Sequence, residues 1–270
     1  MLKPLIKLFR SEPAAPGAHV PEGTRYYAIG DIHGRLDLFE AMIEAIEQDD
    51  KTASPAETTI ILLGDLIDRG PDSAGVIRRT REWKGNRTIR IIAGNHEEMF
   101  LASFEDLDKL RAFNKFGGRE TILSYGVDKQ DYNRTSLEEL QVLMRNTVPE
   151  EDRAFIGSFE DCIIAGDYLF VHAGINPDNP VNEQKQQDMR WIRDRFLRHT
   201  GQFSHVVVHG HTIMENTERR INRIGIDTGA YRTGRLTTLV LEGGNCRTIQ
   251  TVDHDGVIAT EHQDALAFSR

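Results

Sequence analysis

From Thr24 onward the chain switches repeatedly between two hydrophobic periods. The run RYYAI is short, β-rich and stops at Gly30. The stretch RLDLFEAMIEAIEQ then sets Leu36, Phe39, Ile43 and Ile46 on one helical stripe, with acids opposite. TTIILLGD is a continuous apolar run closed by Gly64 and Asp65, the pattern of a strand buried on both faces. DSAGVIRRTREW predicts a second helix and TIRIIAGN a third strand. This β-α-β-α-β alternation predicts an α/β fold with a parallel sheet wrapped by helices.

Between about residues 97 and 159 the period changes. EEMFLASFEDLDKLRAF, SLEELQVLMRN and EEDRAFIGSF read as helices with no strong strand among them, which predicts a helical insertion over the sheet. Strands return in DYLFVHAG, HVVVHGHT, NRIGIDTG, RLTTLVLEGG and CRTIQTVD, and EGGN joins the last two as a β-hairpin. The folded domain is expected over residues 24–252. Residues 1–23 read as a flexible leader, basic and partly apolar at first and then Pro/Gly/Ala-rich. Residues 253–270 read as a polar, mobile tail.

Composition narrows the function classes. The formal net charge of −9 argues against a nucleic-acid partner, because phosphate-backbone binding needs clustered Lys and Arg. Cys162 and Cys246 lie far apart without a CxxC spacing and read as reduced thiols of a cytoplasmic protein. Lys3, Lys7 and Arg10 interrupt the apolar residues of the leader, so no stable membrane association is expected.

The chemistry sits where strands end. The first strand ends in Asp31 and His33, the second in Asp65, Asp68 and Arg69, and the third in Asn95 and His96. The fourth ends in His172, the fifth in His209 and His211. Carboxyl ends of parallel strands share one edge, so these clusters are expected to converge. Carboxylate, imidazole and amide oxygen together suit Mn²⁺, Fe²⁺ or Zn²⁺. Asp31, His33 and Asp65 suffice for one ion; Asp65, as a bridge, with Asn95, His172 and His211 suffices for a second. Two divalent ions against two ligating carboxylates leave a formal excess of about +2, which Arg69 increases, and that favours a phosphoryl dianion. Such a pair, ~3.5–4 Å apart, can activate a bridging water and clamp the oxygens of an in-line displacement. His96, beside a ligand, is the candidate general acid, with Asp68 orienting it.

Taken singly, each cluster has a plainer explanation: Asp31 as a helix N-cap, Gly-Asp as a turn, glycines as loop punctuation. Five together at five strand ends do not. Trp83 and Trp191 are expected to pack; Asp227 and Gly229 either approach the site or form a turn. His209, two residues before His211, is expected as an additional ligand or as a partner of the ligands, the second being favoured, and Glu97 as a brace for Arg69.

In this order GDIHG, GDLIDRG, GNHE, VHAG and HGHT resemble the motif set of the phosphoprotein phosphatase family, within the calcineurin-like metallophosphoesterases. FVHAG, WIRDRFL, VVHGHT and IGIDTGAYRTGRLT resemble its bacterial Ser/Thr phosphatase branch. The resemblance implies a four-layer α-β-β-α sandwich, two metal ions, commonly Mn²⁺, and direct attack of metal-bound hydroxide without a phosphoenzyme. It implies Asp31, His33, Asp65, Asn95, His172 and His211 as ligands and His96 as acid paired with Asp68. Arg69 matches a phosphate-clamping arginine; a second is expected at Arg193, with Arg190 as the alternative, and Asn95 is expected to face the substrate phosphate as well as a metal. Phe116 departs from the pattern, standing where a polar residue precedes the paired glycines. The substrate implied is a phosphoprotein or a small phosphorylated molecule. Dinucleoside polyphosphate hydrolysis is the competing activity, carried by relatives that share HAGI and a DTG turn. A non-catalytic metal-binding module is disfavoured, because none of the implied ligands and neither acid partner is missing.

Overall fold

The computed structural model describes residues 17–267 and 269. Among the described residues eleven strands form two sheets. The first part of the chain runs β1 (Thr24–Ile29), α1 (Leu36–Thr52), β2 (Glu57–Leu62), α2 (Ser73–Lys84) and β3 (Ile89–Ile91). The insertion follows as α3 (Asn95–Ser103), α4 (Leu107–Phe113), α5 (Arg119–Ser124), α6 (Lys129–Arg134), α7 (Leu137–Thr147) and α8 (Glu150–Gly157), with a π-helical turn, Asn114–Gly118, between α4 and α5. Then come β4 (Cys162–Ala165), β5 (Tyr168–Val171), α9 (Gln186–Trp191), α10 (Asp194–Leu197), β6 (Val206–His209), β7 (Glu218–Arg219) and β8 (Arg223–Gly225). The chain closes with α11 (Ala230–Thr233), β9 (Arg235–Glu242), β10 (Asn245–His254) and β11 (Val257–Gln263).

One sheet has the order β11-β10-β9-β1-β2-β3, the other β4-β5-β6-β8-β7. In the first, Tyr27 pairs in parallel with Ile60 of β2 and antiparallel with Val240 of β9. In the second, β5, β6 and β8 run parallel. Strand alternation sorts side chains to the two faces of each sheet. Tyr27, Ile29, Ile60 and Leu62 pack under α1, α2 and the insertion. Ala28, Ile61 and Leu63 face Phe170, Val208 and Ile224 across the gap between the sheets. Leu169, Val171 and Val207 face outward to Met189 and Phe196 of α9 and α10. The layers are therefore helix, sheet, sheet, helix, the α-β-β-α sandwich, and the strands read as continuous apolar runs because both faces are covered.

Two expectations about the ends need correction. Part of the leader belongs to the fold: Val20 is buried and its N–H donates to Gly243 O (3.0 Å), while His19 O accepts from Asp167 N–H (2.9 Å). Residues 1–16 lie outside the described residues. The expected mobile tail contains an edge strand. Asp255 and Gly256, both at positive φ (52° and 89°), turn the chain so that β11 pairs with β10. An Asp-Gly pair between alternating residues is a hairpin signal, legible in DHDGVIATEH.

Candidate active site

The five clusters meet, although the strands that deliver them belong to two sheets. β1, β2 and β3 of the first sheet bring Asp31, His33, Asp65, Asn95 and His96; β5 and β6 of the second bring His172 and His211. Five of the site residues sit in the left-handed region: His33 (φ 48°), Asp65 (49°), Asp68 (73°), Arg69 (69°) and His211 (63°). Each such conformation costs roughly 1–3 kcal/mol and persists only where its surroundings impose it. Here the surroundings are backbone in close approach. A Cβ on Gly210 would lie 2.0 Å from Asp31 Oδ1, and one on Gly94 would lie 2.1 Å from Asp65 Oδ1.

Asp65 is the centre. Its Oδ2 lies 3.5 Å from His172 Nε2, 3.6 Å from His33 Nε2 and 3.8 Å from His96 Nε2. His33 Nδ1 is 2.8 Å from Ile67 O and His172 Nδ1 is 2.8 Å from Leu63 O. A carbonyl only accepts, so both Nδ1 atoms carry the proton and both Nε2 atoms turn a lone pair toward Asp65. Arg69 Nη1 stands 3.1 Å from His33 Nε2 and His211 Nδ1 3.2 Å from His172 Nε2, but no proton lies between either imidazole and Asp65 Oδ2, and the buried His211 Nε2 has no partner. A cation resolves both features.

Two groups of acid and imidazole atoms converge within 4.8 Å: His33, Asp65 and His96, and Asp65, His172 and His211. Asp65 belongs to both, the position expected of a bridge. Asn95 Oδ1 adjoins the second group, 3.1 Å from His172 Nε2. Asp31 stands outside both and accepts from His211 N–H at 3.1 and 3.2 Å. Arg69 presents a cation to the first group, with Nη1 3.1 Å from His33 Nε2 and Nη2 3.0 Å from His96 Nε2.

Electrostatics match this donor set. Burial would raise the Asp65 carboxyl, but His172, His96, His33 and His211 hold it well below the ordinary value. Burial keeps His33 and His172 below the usual imidazole range, and burial with His172 pushes His211 down to about 2. Asp65 is thus favoured as the anion, while burial works against charge on His33, His172 and His211. Asp31 is raised by burial and by its neighbours Asp227 and Asp65; Asp227 is raised by burial to about 6.

His96 differs from the other imidazoles. Its Nδ1 lies 2.6 Å from Asp68 Oδ2, both side chains are buried, and Asp65 and Asp68 outweigh burial to hold it above the ordinary value. Glu97 does not brace Arg69. Its Oε2 accepts from Asp65 N–H (2.9 Å) and Gly94 N–H (2.9 Å), and its Oε1 from Leu66 N–H (2.8 Å). At the first turn of α3 its carboxylate reaches back to the Asp65 turn, where three backbone donors outcompete a guanidinium.

Arg190 is held by Asp161 (2.7 Å) and Glu98 (3.1 Å), whereas Arg193 is exposed, and its charge lowers His211 and Asp227. His209 is buried beside the site, edge-on to Phe196, and belongs to neither converging group. Asp227 accepts from Gly229 N–H (2.8 Å), so it both forms a turn and approaches the ligands. Trp83 packs on Phe39, and Trp191 donates to Glu98. Sequence reasoning missed Thr121, whose hydroxyl meets Asp68, and Tyr231, whose ring lies 4.7 Å from the Arg69 guanidinium carbon and edge-on to His33. Neither stands in a motif at a strand end; Thr121 follows the paired glycines and Tyr231 follows the DTG turn.

Among the described residues no helix is long and apolar enough to cross a membrane. Over 237 residues the chain is 28% identical to the asymmetrical bis(5'-nucleosyl)-tetraphosphatase PrpE of Bacillus velezensis, covering 78% of this chain and 87% of that one. It is 27% identical over 226 residues to serine/threonine-protein phosphatase 2 of Escherichia coli, covering 78% and 90%. A solved structure provisionally assigned as a diadenosine tetraphosphatase shares the fold, with a TM-score of 0.55 and 20% identity over 91% of this chain and 98% of that one. A family profile described as calcineurin-like phosphoesterase matches residues 24–236. With that match spanning most of the chain and its strand-end clusters meeting around Asp65, the chain belongs to the calcineurin-like phosphoesterase family.

Proposed function

We propose that the protein is a metal-dependent phosphomonoesterase that removes phosphate from serine and threonine side chains of proteins, with phosphotyrosine as a further substrate. The observation that carries this reading is the buried His96–Asp68 pair, 2.6 Å apart; Arg69 Nη2, which only donates, lies 3.0 Å from His96 Nε2 and has to turn to the phosphoryl oxygens before Nε2 carries the proton. An alkoxide leaves poorly unless it receives a proton as the P–O bond breaks, and an imidazole backed by a carboxylate is built to give one. A nucleoside polyphosphate leaves as a stable anion and needs such a donor far less.

His33, Asp65, His172 and His211, with Asp31 and Asn95 beside them, would hold two divalent ions, Mn²⁺ in the first instance and Fe²⁺ or Zn²⁺ as alternatives. Bound there, the ions would supply Lewis acidity to activate water and neutralise the phosphoryl oxygens. The chain's own side chains do the rest. Arg69, stacked on Tyr231, and Arg193 grip the non-bridging oxygens. Asp68 fixes the His96 ring through Nδ1, which leaves Nε2 as the atom that would give its proton to the leaving oxygen. A cytoplasmic setting suits the free Cys162 and Cys246.

A second reading, hydrolysis of dinucleoside polyphosphates, is favoured by the likeness to the tetraphosphatase PrpE. A substrate panel on Mn²⁺-loaded protein separates the two. Phosphopeptide turnover that exceeds diadenosine tetraphosphate turnover in kcat/KM, and collapses in His96→Asn, is expected. The reverse preference, with His96→Asn close to wild type, would replace the first reading by the second.

A further inference from the structure

The left-handed pair Asp68 and Arg69 is held by hydrogen bonds from the helical insertion. Gly117 O, in the π-helical turn, accepts from Arg69 N–H at 3.1 Å, and a Cβ on Gly117 would lie 2.7 Å from Arg69 Cγ. Four residues on, Thr121 of α5 has its Oγ1 2.5 Å from Asp68 Oδ1 and 2.9 Å from Asp68 N. Ser73 Oγ completes the cluster at 2.9 Å from Asp68 N and 3.0 Å from Thr121 Oγ1. Thr121, Ser73 and Asp68 are all fully buried.

The two oxygens of Asp68 are therefore divided. Oδ2 takes the Nδ1 proton of His96, and Oδ1 takes the Thr121 hydroxyl. A buried carboxylate with one oxygen unpaired would turn about its own axis in search of a second donor, and the imidazole bonded to it would turn too. Thr121 removes that freedom. Its hydroxyl also accepts from the Asp68 N–H, so one side chain fixes both the backbone and the carboxylate of the residue behind the acid.

We infer that Thr121 is the positioning residue of the His96 acid, and that the helical insertion serves the chemistry by carrying it. The inference rests on the reading of His96 as the proton donor, but not on which phosphate ester is the natural substrate. Thr121 touches neither metal ligands nor substrate. Ser73 Oγ still holds the Asp68 N–H when Thr121 is substituted, so the backbone beside Arg69 stays anchored and the loss should follow how far the leaving group needs a proton.

The test compares Thr121→Val and Thr121→Ser with wild type on two probes, an alkyl phosphate monoester and 4-nitrophenyl phosphate, on Mn²⁺-loaded full-length protein. A general acid contributes roughly 10²–10⁴-fold, so Thr121→Val should lose about tenfold or more in the alkyl to nitrophenyl ratio of kcat. Thr121→Ser, which keeps the hydroxyl, should restore it. If the valine variant does not fold, Thr121→Ala takes its place. A readout that needs no turnover is the downfield proton resonance of the His96–Asp68 hydrogen bond, identified by its loss in His96→Asn. That signal should move or broaden in Thr121→Val and return in Thr121→Ser. An unchanged ratio or an unmoved resonance overturns the inference, as does an equal loss on both probes. Preference of the wild type for dinucleoside polyphosphates would instead overturn the proposed substrate, and the resonance would still decide the role of Thr121.

Discussion

Gly94→Ala is the cleanest perturbation of the shared carboxylate. Gly94 has φ −86° and ψ 176°, a conformation open to alanine, so the strain comes from what the new atom meets and not from its own torsions. The new Cβ would lie 2.1 Å from Asp65 Oδ1, 2.6 Å from Asp65 N and 2.8 Å from Glu97 Oε2. Ordinary contact begins near 3.4 Å, so the Asp65 oxygen must retreat by about 1.3 Å. In retreating it gives up the His96 N–H, which it accepts at 3.1 Å. Overpacking of this kind costs ~1–3 kcal/mol. At this chain length that lowers Tm by a few degrees to about 10 °C. Displacing a reacting group by ~1 Å costs on the order of 10²-fold in rate, so kcat on 4-nitrophenyl phosphate should fall by about that factor. Calorimetric titration with Mn²⁺ should show weaker binding in parallel. Gly157→Ala is the control, because its Cβ would meet only Leu101 Cδ1 at 4.0 Å. Metal binding and turnover of Gly94→Ala within about threefold of wild type, a free-energy change of only ~0.7 kcal/mol, would refute the reasoning, because Asp65 would then not be the pivot of the site.

Metal should stabilise the fold: Mn²⁺ at about 100 times its Kd adds ~2.7 kcal/mol per site, read as a Tm increase that EDTA reverses. Arg190→Ala breaks partly buried bonds to Asp161 and Glu98 and should lower Tm by several degrees, whereas Arg193→Ala should leave Tm unchanged and raise KM for a phosphorylated substrate. Equal effects of the two on KM would remove the distinction between them. The Asp49 carboxyl is pushed up by burial but held below its ordinary value of 3.8 by the stronger pull of Arg247 and Tyr27. Because the folded value is the lower one, its stabilisation is complete above about pH 4 and drains away as pH falls further. Asp49→Asn should therefore flatten the acid limb of a Tm-against-pH curve, and an unaltered limb would show that the pair contributes nothing there.

Much of this site was written in local sequence. A strand that ends in Asp-x-His or Gly-Asp announces its ligands within a few residues, because strand ends are short and their side chains have one direction to point. The sorting of Tyr27, Ala28 and Ile29 onto opposite faces was equally open to reading once both faces were apolar. What was not legible was set by partners distant in the chain. Nothing near Glu97 announces that its carboxylate meets the backbone N–H groups of Asp65 and Leu66 in place of the Arg69 guanidinium. Thr121 reaches Asp68 only because a π-helical turn and Gly117, at φ 110°, bend the insertion back onto the site. The division into two sheets follows from pairing of β1 with β9 rather than with β5; the apolar runs do not encode that choice, and it is the motif resemblance that implies the α-β-β-α sandwich. β11 is hard to read because its apolar residues Val257, Ile258 and Ala259 give way at once to the exposed, polar residues 260–263, and the Asp-Gly turn is its clearest signal.

The central claim is that Asp65 is shared by two metal positions, one toward His33 and one toward His172 and His211. Anomalous diffraction at the manganese edge, from crystals grown with Mn²⁺, tests it most directly. Two peaks flanking Asp65, one bonded to His33 and the other to His172 and His211, are predicted. A single peak, or a pair that leaves Asp65 unligated, would contradict the account.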